Sequence, residues 1–195
     1  ARRYGNHHTA GINYLYWQTA IWIALISVTV FALTFSLAKP LTVLLFGDRY
    51  VQSATILALL AFGNYFNAAL GFNSYTLRVY GRVKYIVVID ILSALLSVGF
   101  SLWLIPNYGA LGAAIGAAGT LVVYNLLKHA GLLLGTGIDL FQWRYLKIYL
   151  SIAFTAIILL VIQSVSAPPI YVSIVLVGIA SIFLIRSNRA ALEVG

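Results

Sequence analysis

The chain has 195 residues, 62% of them apolar and 8% charged, with a mean hydropathy of +0.98. Soluble proteins carry about 25% charged residues, so a water-soluble globule is excluded. Twelve basic residues against four acidic ones set the pI near 9.8, but charge this sparse on so apolar a chain excludes a nucleic-acid binder too.

Stretches free of Asp, Glu, Lys and Arg cover 4–38, 50–77, 91–127 and 148–185. A helix needs about 20 apolar residues to cross a hydrocarbon core of about 30 Å. The first span is expected near 14–38, headed by Tyr14, Tyr16, Trp17 and Trp22 in the manner of an interfacial aromatic belt. The second is expected near 51–77 and carries Asn64 and Asn67, three residues apart. The third apolar run would reach roughly 55 Å as one helix, too far for one crossing. It breaks at Ile105-Pro106-Asn107-Tyr108-Gly109 into spans near 85–105 and 110–130. The fourth run breaks at Ala167-Pro168-Pro169 into spans near 146–166 and 169–186. Lipid offers the backbone no hydrogen-bond partners, so the spans must be helical. The expected fold class is all-α: a polytopic membrane helix bundle of about six transmembrane helices. Because the chain opens on Ala1 rather than Met, a piece of a longer protein is expected.

Charge supports the same arrangement. With six spans, Arg2, Arg3, Arg78, Arg82, Lys84, Lys128, Arg144, Lys147, Arg186 and Arg189 fall on one face, and only Lys39 and Arg49 on the other. Basic connections stay cytoplasmic, so both ends are expected in the cytoplasm. Tyr80, Tyr85, Trp103, Tyr108, Trp143, Tyr145 and Tyr149 flank the spans and extend the belt. Small residues at four- or eight-residue spacing mark helix contacts: Gly63 with Gly71, Gly112 with Gly116, Ala113 with Ala117, and Gly131 with Gly135.

Catalytic chemistry is thin. No Cys is present, and the acids Asp48, Asp90, Asp139 and Glu193 are scattered. No metal-binding, nucleophile-elbow or phosphate-loop motif occurs. No enzyme activity, cofactor or metal is expected. His7, His8 and His129 read as solvated at the interface. Polar groups at membrane depth say more, because each needs a partner or a wet cavity. Asn64 and Asn67 are candidates for substrate contact, with interhelical hydrogen bonding as the alternative. Asp90 is a candidate for ion coupling or, pairing with Lys84 or Arg82, an anchor. Arg78, Arg82 and Lys84 could attract an anionic substrate at the cytoplasmic mouth, or could simply set topology and hold anionic lipid. Lys128 is expected to snorkel to the headgroups.

Three segments, in order, carry a resemblance: Pro40 followed by Leu45-Phe46-Gly47-Asp48-Arg49-Tyr50, then Leu77-Arg78-Val79-Tyr80-Gly81-Arg82-Val83-Lys84, then Leu104-Ile105-Pro106-Asn107-Tyr108-Gly109-Ala110-Leu111-Gly112-Ala113-Ala114. Together they resemble the C-terminal half of the polysaccharide-export and lipid-linked oligosaccharide flippases, within the multidrug/oligosaccharidyl-lipid/polysaccharide exporter superfamily. The resemblance covers about residues 13–130. It implies the C-terminal part of a two-lobe exporter in the cytoplasmic membrane of a prokaryote. Such a protein flips a polyprenyl-diphosphate-linked glycan by alternating access, with an N-terminal lobe as its partner. The alternatives are a drug or metabolite exporter of the same superfamily, or a non-transporting scaffold subunit of glycan assembly.

Overall fold

The structure, a computed structural model, describes residues 7–70, 72–136 and 143–188. Among them are seven α-helices, one 3-10 turn and no strand: α1 (His7–Ser36), α2 (Ala38–Phe46), a turn at Asp48–Tyr50, α3 (Ser53–Leu70), α4 (Asn73–Val79), α5 (Val83–Thr136), α6 (Trp143–Ser166) and α7 (Ile170–Ser187). The chain is an all-α bundle. Five stretches are long and apolar enough to cross a membrane: Tyr14–Ser36, Ser53–Val79, Val83–Leu134, Leu146–Ser166 and Ile170–Ser187.

The longest of these, 52 residues, does not run straight. Gly109 takes φ 56° and ψ −134° inside α5, a glycine-favouring conformation that costs other L-residues on the order of 1–3 kcal/mol. The chain reverses there, three residues after Pro106. Leu104 then lies against Gly112, Phe100 against Gly116, and Tyr85 against Gly131. Each pair is equidistant from residue 108, so α5 is an antiparallel hairpin of two long arms. Its glycines are needed for proximity: a Cβ on Gly112 would collide with the Leu104 carbonyl, and one on Gly131 with the Tyr85 ring. The outward-turned small face differs from expectation. Ala114 and Ala118 are buried, and Gly63 of α3 sits where a Cβ would come 2.8 Å from the Ala118 Cα. Ala117 is exposed.

The three segments that carry the family resemblance fall at helix junctions. Each holds one glycine of positive φ: Gly47 (85°), Gly81 (71°) and Gly109 (56°). At none of the three would an added Cβ meet another atom, so backbone conformation is the requirement there.

Two elements depart from the expected spans. A separate helix, α2, follows α1 after a turn at Leu37 and ends at Gly47. The expected second span is two helices, α3 and α4, with Phe72 between them in the described chain.

α1 forms the centre of the bundle, packed on α3, α6 and α7. Tyr16, Trp17, Ile21, Ala24, Leu25 and Val28 are buried along it, joined by Leu77, Ile86, Leu132, Ile148 and Ile152 from the surrounding helices. Tyr16 and Trp17 thus belong to the core and not to an outer belt, whereas Trp22, Trp103 and Tyr108 are exposed as a belt requires. Tyrosine hydroxyls fasten helices to neighbouring carbonyls: Tyr65 donates to Ala24 at 3.1 Å, Tyr149 to Ala69 at 3.1 Å, and Tyr85 to Leu127 at 2.7 Å. Between α6 and α7, the Ser173 hydroxyl donates to Gln163 at 2.9 Å. The outer surface is apolar, with Leu15, Ile26, Leu102, Phe154, Val165 and Phe183 among many exposed side chains. A soluble monomer rarely exposes such area. This is the surface of a membrane protein.

Candidate functional site: a polar cavity beside the α5 hairpin

Among the described residues, one charged side chain is buried inside the bundle: Lys128. A cavity of about 610 Å³ opens between α3, α4 and the two arms of α5. α3 supplies Asn67, and α4 supplies Asn73, Ser74, Tyr75 and Arg78. The first arm of α5 adds Asp90, Ser93 and Ser97, and the second adds Thr120, Tyr124, Asn125 and Lys128. Asp90 and Ser97 lie roughly 10 and 20 Å along α5 from Val83, so the cavity reaches from the Arg78 end towards mid-depth.

Lys128 is its anchor. The side chain is only 2% exposed, and its Nζ lies 3.0 Å from Asp90 Oδ1. The ammonium also donates to Ser74 Oγ at 2.8 Å and to the Tyr124 hydroxyl, whose ring centroid is 3.7 Å away. A lysine has three N–H donors, and here each finds an acceptor. Full pairing is required, because an isolated buried ammonium would be prohibitively costly. The Tyr124 hydroxyl donates in turn to Asp90 Oδ1 at 3.0 Å. Asp90 itself is 48% exposed, so the carboxylate stands between the buried ammonium and the open cavity.

From Lys128 a directional chain of hydrogen bonds runs back to α3. Ser74 Oγ donates to Asn73 Oδ1 at 3.5 Å, Asn73 Nδ2 to Asn125 Oδ1 at 3.3 Å, and Asn125 Nδ2 to Asn67 Oδ1 at 2.9 Å. Asn125 also donates to its own helix at Leu121. Asn73 and Asn125 are fully buried. Donors in such a chain polarise one another, and the low dielectric strengthens each bond. The network ties α3, α4 and the second arm of α5 together. The cavity is net positive, with Lys128 and Arg78 against the lone carboxylate among its lining residues. The Arg78 guanidinium lies 5.9 Å from the Tyr75 ring centroid.

The expected site residues separate. Asn67, Arg78 and Asp90 share this cavity. Asn64 does not: exposed, it donates to Leu60 of its own helix and edges an apolar groove of about 360 Å³ between α1 and α3. Arg82 and Lys84 are exposed at the turn into α5, outside the cavity lining. Asp90 pairs with Lys128 and not with Lys84 or Arg82. Lys128 does not snorkel; it is buried. His129 is not an exposed interfacial group either, since its Nδ1 shares a 3.1 Å hydrogen bond with the Tyr16 hydroxyl and its ring meets Trp17 edge-on at 5.7 Å. The side chains of His7, His8, Trp143, Arg144 and Tyr145, and residues Arg2, Arg3, Gly71, Asp139, Arg189 and Glu193, lie outside what the structure describes. Sequence reasoning missed Asn125 and Tyr124 altogether. The available signal was Tyr124, Asn125 and Lys128 clustered within a run of Leu, Val and Gly, since polar side chains at membrane depth need partners.

Among the described residues, no group of three His, Cys, Asp or Glu side chains is placed to hold a metal. Against known families, curated proteins and solved structures, the chain finds no match in any of the three comparisons.

Proposed function

We propose that the chain is one lobe of an alternating-access exporter that passes lipid-linked oligosaccharides across the cytoplasmic membrane of a prokaryote. One observation carries the reading: a net-positive polar cavity runs deep among helices whose outer faces are apolar. A diphosphate-linked glycan cannot enter hydrocarbon bare, because each unsatisfied polar group costs several kcal/mol there. A bundle lowers that barrier by offering a polar path, and rocking of one lobe against another opens the path to each side in turn. The resemblance of the Gly47, Gly81 and Gly109 segments to flippase motifs supports the same conclusion. In this reading a second lobe completes the path, the basic connections and both ends are cytoplasmic, and the chain catalyses no covalent chemistry.

The two asparagines of α3 test it. In cells whose surface glycan depends on this protein, Asn67→Leu lowers export severalfold and lipid-linked precursor accumulates on the inner leaflet. Asn64→Leu, on the same helix but outside the cavity, leaves export unchanged. Export that survives Asn67→Leu, with the variant protein monodisperse and at normal abundance, would remove the polar path from the cavity and favour a scaffold.

A further inference from the structure

Among the described residues lining the cavity, one buried hydroxyl has no partner. Ser93 is 94% buried by its 6% exposure, lines the cavity, and its Oγ has no hydrogen-bond partner. It lies three residues beyond Asp90, hence beside it on the same arm. A buried hydroxyl left unpaired costs about 1–3 kcal/mol, so something is expected to use it. Nearby, a fully buried ammonium is covered by a carboxylate that is itself half in the open. The cavity's remaining charge is the Arg78 guanidinium, a group whose planar fork suits phosphate.

We infer that this is a binding site for a phosphoryl anion, in which Lys128 exchanges the Asp90 carboxylate for phosphate oxygens. Asp90 is the resident stand-in. When an anion arrives from the open side, the carboxylate turns into the water of the cavity, and the ammonium and the Tyr124 hydroxyl pass to the newcomer. Ser93 and Arg78 then add donors that the carboxylate never used. A cation site fits less well, because Lys128 already neutralises Asp90 and the Asn67 oxygen is occupied by Asn125. The anion site stands on this geometry alone; its assignment to the diphosphate of a lipid carrier rests on the proposed function.

The exchange makes opposite predictions for two neighbouring residues. The test uses the whole chain in phosphatidylcholine nanodiscs, with inorganic pyrophosphate as probe and calorimetry as readout. Removing the competitor, Asp90→Asn, tightens pyrophosphate binding by roughly tenfold, a typical coupling between competing partners. Removing the unused donor, Ser93→Ala, weakens binding roughly tenfold, and raises thermal stability of the anion-free protein, because an unpaired buried hydroxyl is removed and no bond is lost. Lys128→Gln abolishes binding. If Asp90→Asn binds no tighter and Ser93→Ala no more weakly, the ion pair is a structural lock and the site is refuted. Should Asp90→Asn fail to fold, Ser93→Ala decides alone. Farnesyl diphosphate and phosphatidylglycerol, tested in the same discs, separate the sources. Competition by farnesyl diphosphate supports a lipid-diphosphate substrate. Competition by phosphatidylglycerol alone keeps the anion site but overturns the carrier-lipid assignment.

Discussion

An ammonium at the position of Lys128 loses several kcal/mol of hydration, and its neighbours are arranged to return it. The same holds for Asn125, whose amide links α3 and α4 through Asn67 and Asn73. Hydrogen bonds inside membrane bundles average only about 0.6 kcal/mol, so a single tyrosine fastening contributes little. Tyr149→Phe, which removes the bond to Ala69, should destabilise the protein by about that amount. Asn125→Leu should cost about 2–3 kcal/mol, because it leaves buried amide groups unpaired. Reversible unfolding in mixed detergent–lipid micelles measures both, and equal losses would mean that the network is not coupled. At this scale the sequence was only partly readable. Asn64 and Asn67 are three residues apart, which on a helix is about 60° of rotation; that angle suffices to turn one towards α1 and the other into the cavity. Asp90 lies six residues beyond Lys84, about 120° around the helix, so those two cannot meet. Lys128 read as an end-of-helix residue because Lys128 and His129 close the charge-free run, yet the apolar residues resume at Ala130, α5 continues to Thr136 and the lysine stands roughly 12 Å before the helix end.

At the scale of elements, the hairpin of α5 is where sequence and structure agree most closely. A run too long for one crossing, with Pro106 and Gly109 at its middle, has to fold back, and the glycine periodicity of the returning arm marks its contact face. Gly112→Ala forces a Cβ into the Leu104 carbonyl, with backbone on both sides and nothing free to move. Its expected cost is about 2–3 kcal/mol, as for other over-packed sites. Gly109→Ala meets open space and bears only the backbone strain of a positive φ, on the order of 1–3 kcal/mol and at the low end if the exposed turn relaxes. Thermal unfolding of the two variants should therefore rank Gly112→Ala below Gly109→Ala; the reverse order would contradict the close approach of the arms. α2 and the break between α3 and α4 were not legible. The AKPLTVLLF segment is too short for a span and its proline suggests a loop, but Pro40 falls in the first turn of α2, where its missing N–H has no helical partner to lose. Phe72, between α3 and α4 in the described chain, interrupts an apolar run without the Pro–Gly punctuation that betrays a turn.

Across the whole molecule, the pattern of a soluble protein is inverted: large apolar side chains cover the exterior of the helices and a lysine, Lys128, is buried among them. That follows from the solvent, since lipid gives nothing for an exposed charge to bind and nothing for buried leucine to gain. Composition alone made this much legible. The direction of insertion is the remaining global property, and the absence of native Cys makes it directly measurable. Single cysteines at Asp48 and Lys84, exposed residues at opposite ends of the α3–α4 segment, should label from opposite sides of sealed vesicles, with position 84 reached only from the cytoplasmic side. Labelling of both from one side would refute the six-crossing arrangement.

The tight reversal at Gly109 bears on how such a protein enters its bilayer. A lone lysine or aspartate near the centre of an inserting helix is opposed by about 2.5–3.5 kcal/mol. The two arms carry one of each, Asp90 outbound and Lys128 on the return, joined by a corner too short to wait outside. Delivered as a doublet, they are expected to reach the hydrocarbon with their charges paired. The pair that lines the cavity is then expected to ease joint admission of both arms, and loss of either partner to lower the inserted fraction of the hairpin.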